Sequence, residues 1–152
     1  YNIATGLIIE WLRTPNAFEY ITVMVQKEVA MRMCAEPGGS SFGRLAIIIQ
    51  WLAIPKMLFD VPPSAFHPSP KVTSTLIEIR PRLKPLFEAN RHALETVTAH
   101  AFGQRRKMLR SSLKNIGGHA LLSKANIQPT QRPENLTIQE FCKLAQAYTD
   151  RL

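Results

Sequence analysis

An α/β segment followed by a small all-helical domain is the fold class this sequence predicts. Three observations predict it. Apolar residues follow mixed two-residue and 3.6-residue periods before residue 80 and helical periods after residue 86. Between them Pro81 and Pro85 bracket Arg82-Leu83-Lys84, a natural linker. Charge is also uneven: residues 1–80 carry seven Lys/Arg against six Asp/Glu, while residues 81–152 carry twelve against five. The expected division is therefore 1–80, a linker at 81–85, and a helical domain at 86–152.

Taken in order, Ile3 to Arg13 places Ile3, Leu7, Ile8, Trp11 and Leu12 on one helical stripe, with Asn2 as N-cap. Pro15-Asn16 stops that helix. Phe18 to Val25 is a nearly continuous β-prone run, suited to a strand buried on both faces of a parallel sheet. Gln26 to Ala35 reads as a short helix. In Gly43 to Ala53, Ile47-Ile48-Ile49 favours a strand locally, but the Leu45/Ile48/Ile49/Leu52 stripe and the length predict a helix. Pro55 to Val61 and Lys71 to Ile79 alternate like strands, joined by a proline-rich loop. Beyond the linker, Leu86 to Phe102, Gln104 to Ile116 and His119 to Ala125 read as helices. The last helix carries a Thr137-x-x-Glu140 capping box, a Leu136/Phe141 staple, and a Phe141/Leu144/Ala145/Tyr148 stripe.

Composition excludes several classes. Apolar residues make up 45% of the 152, enough for a packed core. No run reaches the roughly 18–20 apolar residues of a membrane span, and no basic-then-apolar leader opens the chain. Cys34 and Cys142 share no CxxC spacing, so a reducing cytoplasm is expected. His67, His92, His100 and His119 lack metal-ligand spacing, and no metal is expected. With no GxGxxG and no P-loop, no nucleotide-phosphate cradle is visible. The net charge of +8 and its bias to the second half point to a polyanion, nucleic acid above all.

Two features carry chemistry. In Phe66-His67-Pro68-Ser69-Pro70-Lys71-Val72, each proline fixes its own φ and pushes its predecessor toward extended geometry. A ring held stiffly beside Lys71 suits an unstacked base and its phosphate; composition alone favours the other reading, a sheet-edge loop whose Phe66 plugs the core. The second feature is Gln104-Arg105-Arg106-Lys107 with Arg110 and Lys114. On a continuous helix Arg106, Arg110 and Lys114 fall at i, i+4 and i+8, a basic ridge that tracks a phosphate backbone without reading sequence. A solvated helix face is the alternative, disfavoured by the near absence of acids between Val97 and Ser123.

These residues carry a resemblance. Tyr-Asn-Ile-Ala-Thr at 1–5, Val-Gln-Lys-Glu-Val-Ala at 25–30, Gly-Arg-Leu-Ala at 43–46, Val-Pro-Pro-Ser-Ala-Phe-His-Pro-Ser-Pro-Lys-Val-Thr-Ser at 61–74, Phe-Gly-Gln-Arg-Arg-Lys-Met-Leu-Arg at 102–110 and Arg-Pro-Glu-Asn-Leu-Thr at 132–137 span the chain. In that order and spacing it resembles the C-terminal half of the small-subunit (16S-type) rRNA adenine N6,N6-dimethyltransferases, the KsgA-like family.

The resemblance implies a fold: the C-terminal part of a Rossmann-like S-adenosylmethionine-dependent methyltransferase domain, then a helical rRNA-binding domain. It implies that Tyr1 ends an Asn-Leu-Pro-Tyr catalytic motif, and that Tyr1 and Phe66 grip a flipped adenine. In the family, hydrogen bonds to the adenine N6 amine align it for methyl transfer, so positioning outweighs a strong base. S-adenosylmethionine is expected to bind upstream of Tyr1, leaving residues 1–152 alone inactive. Lys71, Arg105, Arg106, Lys107, Arg110 and Lys114 are the expected RNA contacts. The expected partner is small-subunit rRNA in the immature ribosomal subunit, met by a cytoplasmic monomer. The alternative is a non-catalytic RNA-binding module of the same fold.

Overall fold

The structure, a computed structural model, describes residues 2–151, with side chains described from residue 3. The expected adenine contact Tyr1 lies outside the described residues. Among the described residues, three α-helices and three strands alternate before residue 82, and four α-helices follow it. They form two compact units, each built from discontinuous segments. The first comprises residues 1–35 and 48–86, the second residues 36–47 and 87–152. The division is thus not the linear one expected, because residues 36–47 cluster with the helical unit. Phe42 gives the reason: it is fully buried and sits edge-on to Phe102 at 6.4 Å, while Phe102 stacks on Phe141 at 5.6 Å.

In the first unit, α1 (Asn2–Trp11) is followed by β1 (Ile21–Gln26) and α2 (Lys27–Cys34). Then α3 (Arg44–Leu52), whose residues 44–47 cluster with the second unit, runs straight into β2 (Ala53–Val61), and β3 (Ser74–Pro81) closes the sheet. The strand order is β1-β3-β2, and both pairings are antiparallel. This corrects the expectation for Phe18 to Val25. The strand lies at the edge of the described sheet, pairs Ile21 with Ile79 and Val25 with Thr75, and leaves Phe18 and Tyr20 exposed ahead of it. Its Ile21 and Val25 are buried while Thr22 and Met24 between them are exposed, the alternation of a strand with one covered face.

Ile77 and Ile79 of the central strand are fully buried, opposite Val23 and Ile21 on one side and Met57 and Pro55 on the other. A bulge between Met57 and Phe59 sets Leu58 outside the ladder, and Met57, Leu58 and Phe59 are all exposed. A bulge of this kind re-aims the strand end that follows it, here Asp60 and Val61. α3 is a helix despite its three consecutive isoleucines. Ala46, Ile47, Ile48, Ile49 and Trp51 are all buried, a coverage that a half-buried strand would not give.

In the second unit, α4 (Arg91–Gly103) starts five residues later than expected. Asn90 caps it, its Oδ1 accepting from Ala93 N at 3.0 Å, a short polar side chain at the position that favours one. α4 and α7 (Ile138–Thr149) pack against each other around Leu94, Val97, Ala101, Phe141 and Leu144, all fully buried. The expected capping box of α7 is present: Thr137 N donates to Glu140 Oε2 at 2.8 Å, and Glu140 N donates to Thr137 Oγ1 at 3.2 Å.

The helix expected over 104–116 is not formed. Residues 104–108 are a turn and its exit, α5 spans only Leu109–Ser112, and a 3₁₀ turn covers Lys114–Ile116. The backbone hydrogen bonds explain the break. A continuous helix would send Leu109 N to Arg105 O and Arg110 N to Arg106 O. Instead Leu109 N donates to Gln131 O at 2.8 Å and Arg110 N to Pro129 O at 3.0 Å. A short helix, α6 (Gly118–Lys124), follows Gly117, whose φ of +127° suits glycine alone.

Candidate nucleic-acid interface

One candidate feature lies on a loop of the first unit, the other on a turn, a short helix and a 3₁₀ turn of the second. In the first, the Phe66 loop spans residues 62–73 between β2 and β3. Pro63–Ala65 form a 3₁₀ turn whose Ala65 N and Phe66 N donate to Pro62 O and Pro63 O. Ser69 Oγ donates back to Phe66 O at 3.1 Å, and the His67–Pro68 peptide is cis. The backbone of Phe66 is therefore held from both sides, and its side chain is half-buried. That is neither a sealed core plug nor a free ring. Lys71, five residues on, is exposed.

The base of this loop is tied by a group that sequence reasoning missed. Asp60, just before the loop, accepts from Lys27 Nζ at 2.8 Å and from Thr75 Oγ1 at 2.8 Å, just after it. Lys27 also donates its backbone N to Thr73 O at 2.9 Å. One carboxylate thus joins β2, β3 and the start of α2 beneath the Phe66 loop. The hydrogen bond from Lys27, then that from Thr75, holds the Asp60 carboxyl below the usual carboxylate range. A lowered native pKa contributes stability that is complete above the ordinary carboxylate pKa and is lost as pH falls through the native value. The available signal was Asp60 as the lone acid closing an apolar run before Pro62-Pro63.

We expect Asp60→Asn to leave overall stability nearly unchanged and to raise amide hydrogen exchange across residues 62–73 severalfold. Wild type should show the same loosening only in acid, below the ordinary carboxylate range. Exchange measured by mass spectrometry against pH checks both; identical loop protection in variant and wild type would mean Asp60 ties nothing.

In the second unit, Arg105, Arg106, Lys107, Arg110 and Lys114 are all exposed. They occupy the 104–108 turn, α5 and the 3₁₀ turn, so they line a bent segment and not a straight helical ridge. A guanidinium nitrogen of Arg105 donates to Ser40 O. Among the described residues, Arg106, Lys107, Arg110 and Lys114 enter no ion pair, whereas Lys124 pairs with Asp150 and Arg91 with Glu95. Counted over the compact units, the second carries eleven Lys/Arg against six Asp/Glu and the first eight against five. The excess is thus shared more evenly than the linear halves suggested, but the second unit retains the one acid-free basic segment.

Other chemistry is poorly provided for. Burial raises the Cys142 thiol to about 12 and also raises that of Cys34, so both stay protonated and unreactive near neutrality. Among the described residues, no group of three or more His, Cys, Asp or Glu is placed to hold a metal. No described helix is long and apolar enough to cross a membrane.

A half-buried aromatic residue lies in the loop joining β2 to β3, and an exposed basic segment lies in the helical unit. The chain belongs to the ribosomal RNA adenine dimethylase family, whose profile matches residues 1–150. It is 51% identical over 148 residues to a ribosomal RNA small subunit methyltransferase A of Rhodospirillum rubrum, covering 97% of this chain and 51% of that protein. Against the protein of the same name from Gluconobacter oxydans it is 50% identical over 146 residues, covering 96% and 48%. The chain thus spans about half the length of the curated relatives it matches. In fold it is similar to a dimethyladenosine transferase of Plasmodium falciparum, with a TM-score of 0.85 at 23% identity, covering 99% of this chain and 64% of that one. It is similar more distantly to the 23S rRNA methyltransferase ErmE, with a TM-score of 0.60 at 21% identity, covering 95% and 61%.

Proposed function

We propose that residues 1–152 are the adenine-gripping and RNA-holding half of an S-adenosylmethionine-dependent rRNA adenine-N6,N6-dimethyltransferase. Its substrate is small-subunit rRNA during ribosome maturation, met by a cytoplasmic monomer. The observation that carries this reading is the family match over nearly the whole chain, at about 50% identity to small-subunit methyltransferases. The half-buried Phe66 supports it from the site. A ring already held by its own loop stacks on a flipped adenine at little ordering cost. Tyr1 is proposed as the opposite face of that grip. Lys71 lies five residues from Phe66 and is proposed to meet the phosphate of the flipped nucleotide. Arg105, Arg106, Lys107, Arg110 and Lys114 are proposed to hold the backbone of the large substrate, which carries no sequence information but fixes register.

The residues present do not fit S-adenosylmethionine. The only paired glycines outside the helical segment at 117–118, Gly38 and Gly39, spend their amides on Glu134 O and Glu36 O. They lie in a turn and not between a strand and a helix, so they form no open cradle. The methyl donor's site is therefore proposed to lie outside residues 1–152, and no step is routed through it. These residues orient the adenine and exclude water from its faces.

Calorimetry of residues 1–152 tests the division of labour. The expected result is salt-dependent binding of small-subunit rRNA fragments and no binding of S-adenosylmethionine. Stoichiometric, micromolar cofactor binding would show that the chain carries a cofactor site and would overturn this reading.

A further inference from the structure

The second unit contains a cavity of about 280 Å³ lined by His100, Gly103, Gln104, Ser111 and Asn115, among others. We propose that this cavity receives a single unstacked RNA nucleotide, a second base-holding site separate from Phe66. The inference rests on the reading of the basic segment as an RNA contact.

Its chemistry selects the occupant. Gln104 and Asn115 each offer a carbonyl acceptor and an amine donor, and the Ser111 hydroxyl does both. A free phosphate calls for donors and positive charge; a base edge presents donors and acceptors side by side. Among the described residues, His100, Gln104, Ser111 and Asn115 make no side-chain hydrogen bond within the chain; Gln104, Ser111 and Asn115 are exposed, so a base would replace water on them. His100 is half-buried, and its imidazole gives the flat face on which unstacked RNA bases pack. The pocket is open to solvent and its volume lies just under the roughly 300–1,000 Å³ of drug-sized pockets, room for one base.

Placement completes the argument. Arg105, Arg106 and Lys107 directly follow Gln104, Arg110 precedes Ser111, and Lys114 precedes Asn115. Phosphates on either side of an inserted nucleotide would therefore meet cations while the base meets neutral groups. Single-stranded bulges and loops are the RNA elements whose bases can be splayed out in this way.

The test uses residues 1–152 and three RNA hairpins: fully paired, with one bulged nucleotide, and with an abasic bulge at the same place. Fluorescence anisotropy across a salt series gives affinity and salt slope. Wild type should prefer the bulged hairpin by about tenfold, the scale of one stacked base. His100→Ala and Asn115→Ala should abolish the preference and leave the salt slope unchanged, because every phosphate-binding cation is still present. Gly103→Leu keeps every polar group and fills the wall; an added Cβ there meets nothing within 4 Å. It should abolish the preference too. Equal affinity of wild type for all three hairpins, or a preference that survives in all three variants, would overturn the proposal while leaving the RNA reading intact. Absence of any RNA binding would overturn both.

Discussion

Phe66→Ala should slow adenine methylation roughly ten- to a hundredfold while changing RNA affinity only slightly. The protein to use joins residues 1–152 to the upstream half of the Rhodospirillum rubrum relative. Stacking on an aromatic side chain contributes about 1–3 kcal/mol per base, and it matters only once the adenine has left its stack. Misplacement of the reacting amine by a single ångström costs on the order of a hundredfold. RNA affinity, in contrast, is expected from the phosphate contacts proposed for the basic segment, which Phe66 does not make. Single-turnover methylation and filter binding measured on the same RNA separate the two effects. Equal losses in both would reduce Phe66 to packing at the sheet's end.

Replacing Arg106, Lys107, Arg110 and Lys114 together with Ala should have the opposite signature. Affinity should fall for many RNAs alike, by roughly a hundredfold or more near 50 mM salt. The slope of log affinity against log salt should flatten by roughly 0.7 to 0.9 for each phosphate no longer neutralised. Arg105 is left in place because its guanidinium also holds the Ser40 carbonyl. Folding stability should change little, since exposed substitutions away from special features stay within about 0.5 kcal/mol. Affinity titrations of residues 1–152 across a salt series read both quantities. An unchanged slope would mean that these cations face solvent and that RNA is held elsewhere.

What was legible in the sequence follows the range of the forces involved. The α7 capping box is a local device, a threonine and a glutamate three residues apart, and it formed as read. The α3 stripe outweighed its β-branched run because its length and period are also local. The helix expected over 104–116 does not form, because its terminator is remote. The carbonyls of Pro129 and Gln131 take the amides of Arg110 and Leu109, and no periodicity within 104–116 records them. The basic residues remained exposed, but on a bend. For Phe18 to Val25, composition announced a strand and could not announce its neighbour; an apolar run reads alike in parallel and antiparallel sheets until its partner is known. Asp60 escaped notice for a related reason. Its role comes from three elements, β2, β3 and α2, that meet only in the folded chain.

The most direct test of the central claim is the chemistry of rRNA incubated with the joined protein, S-adenosylmethionine and small ribosomal subunits from a strain lacking the modification. Mass spectrometry of the digested rRNA should show N6,N6-dimethyladenosine with wild-type residues 1–152 and a greatly reduced yield with Phe66→Ala. A folded joined protein that binds the subunit in a salt-dependent manner, yet forms no dimethyladenosine, would contradict the account and leave a non-catalytic RNA-binding module in its place.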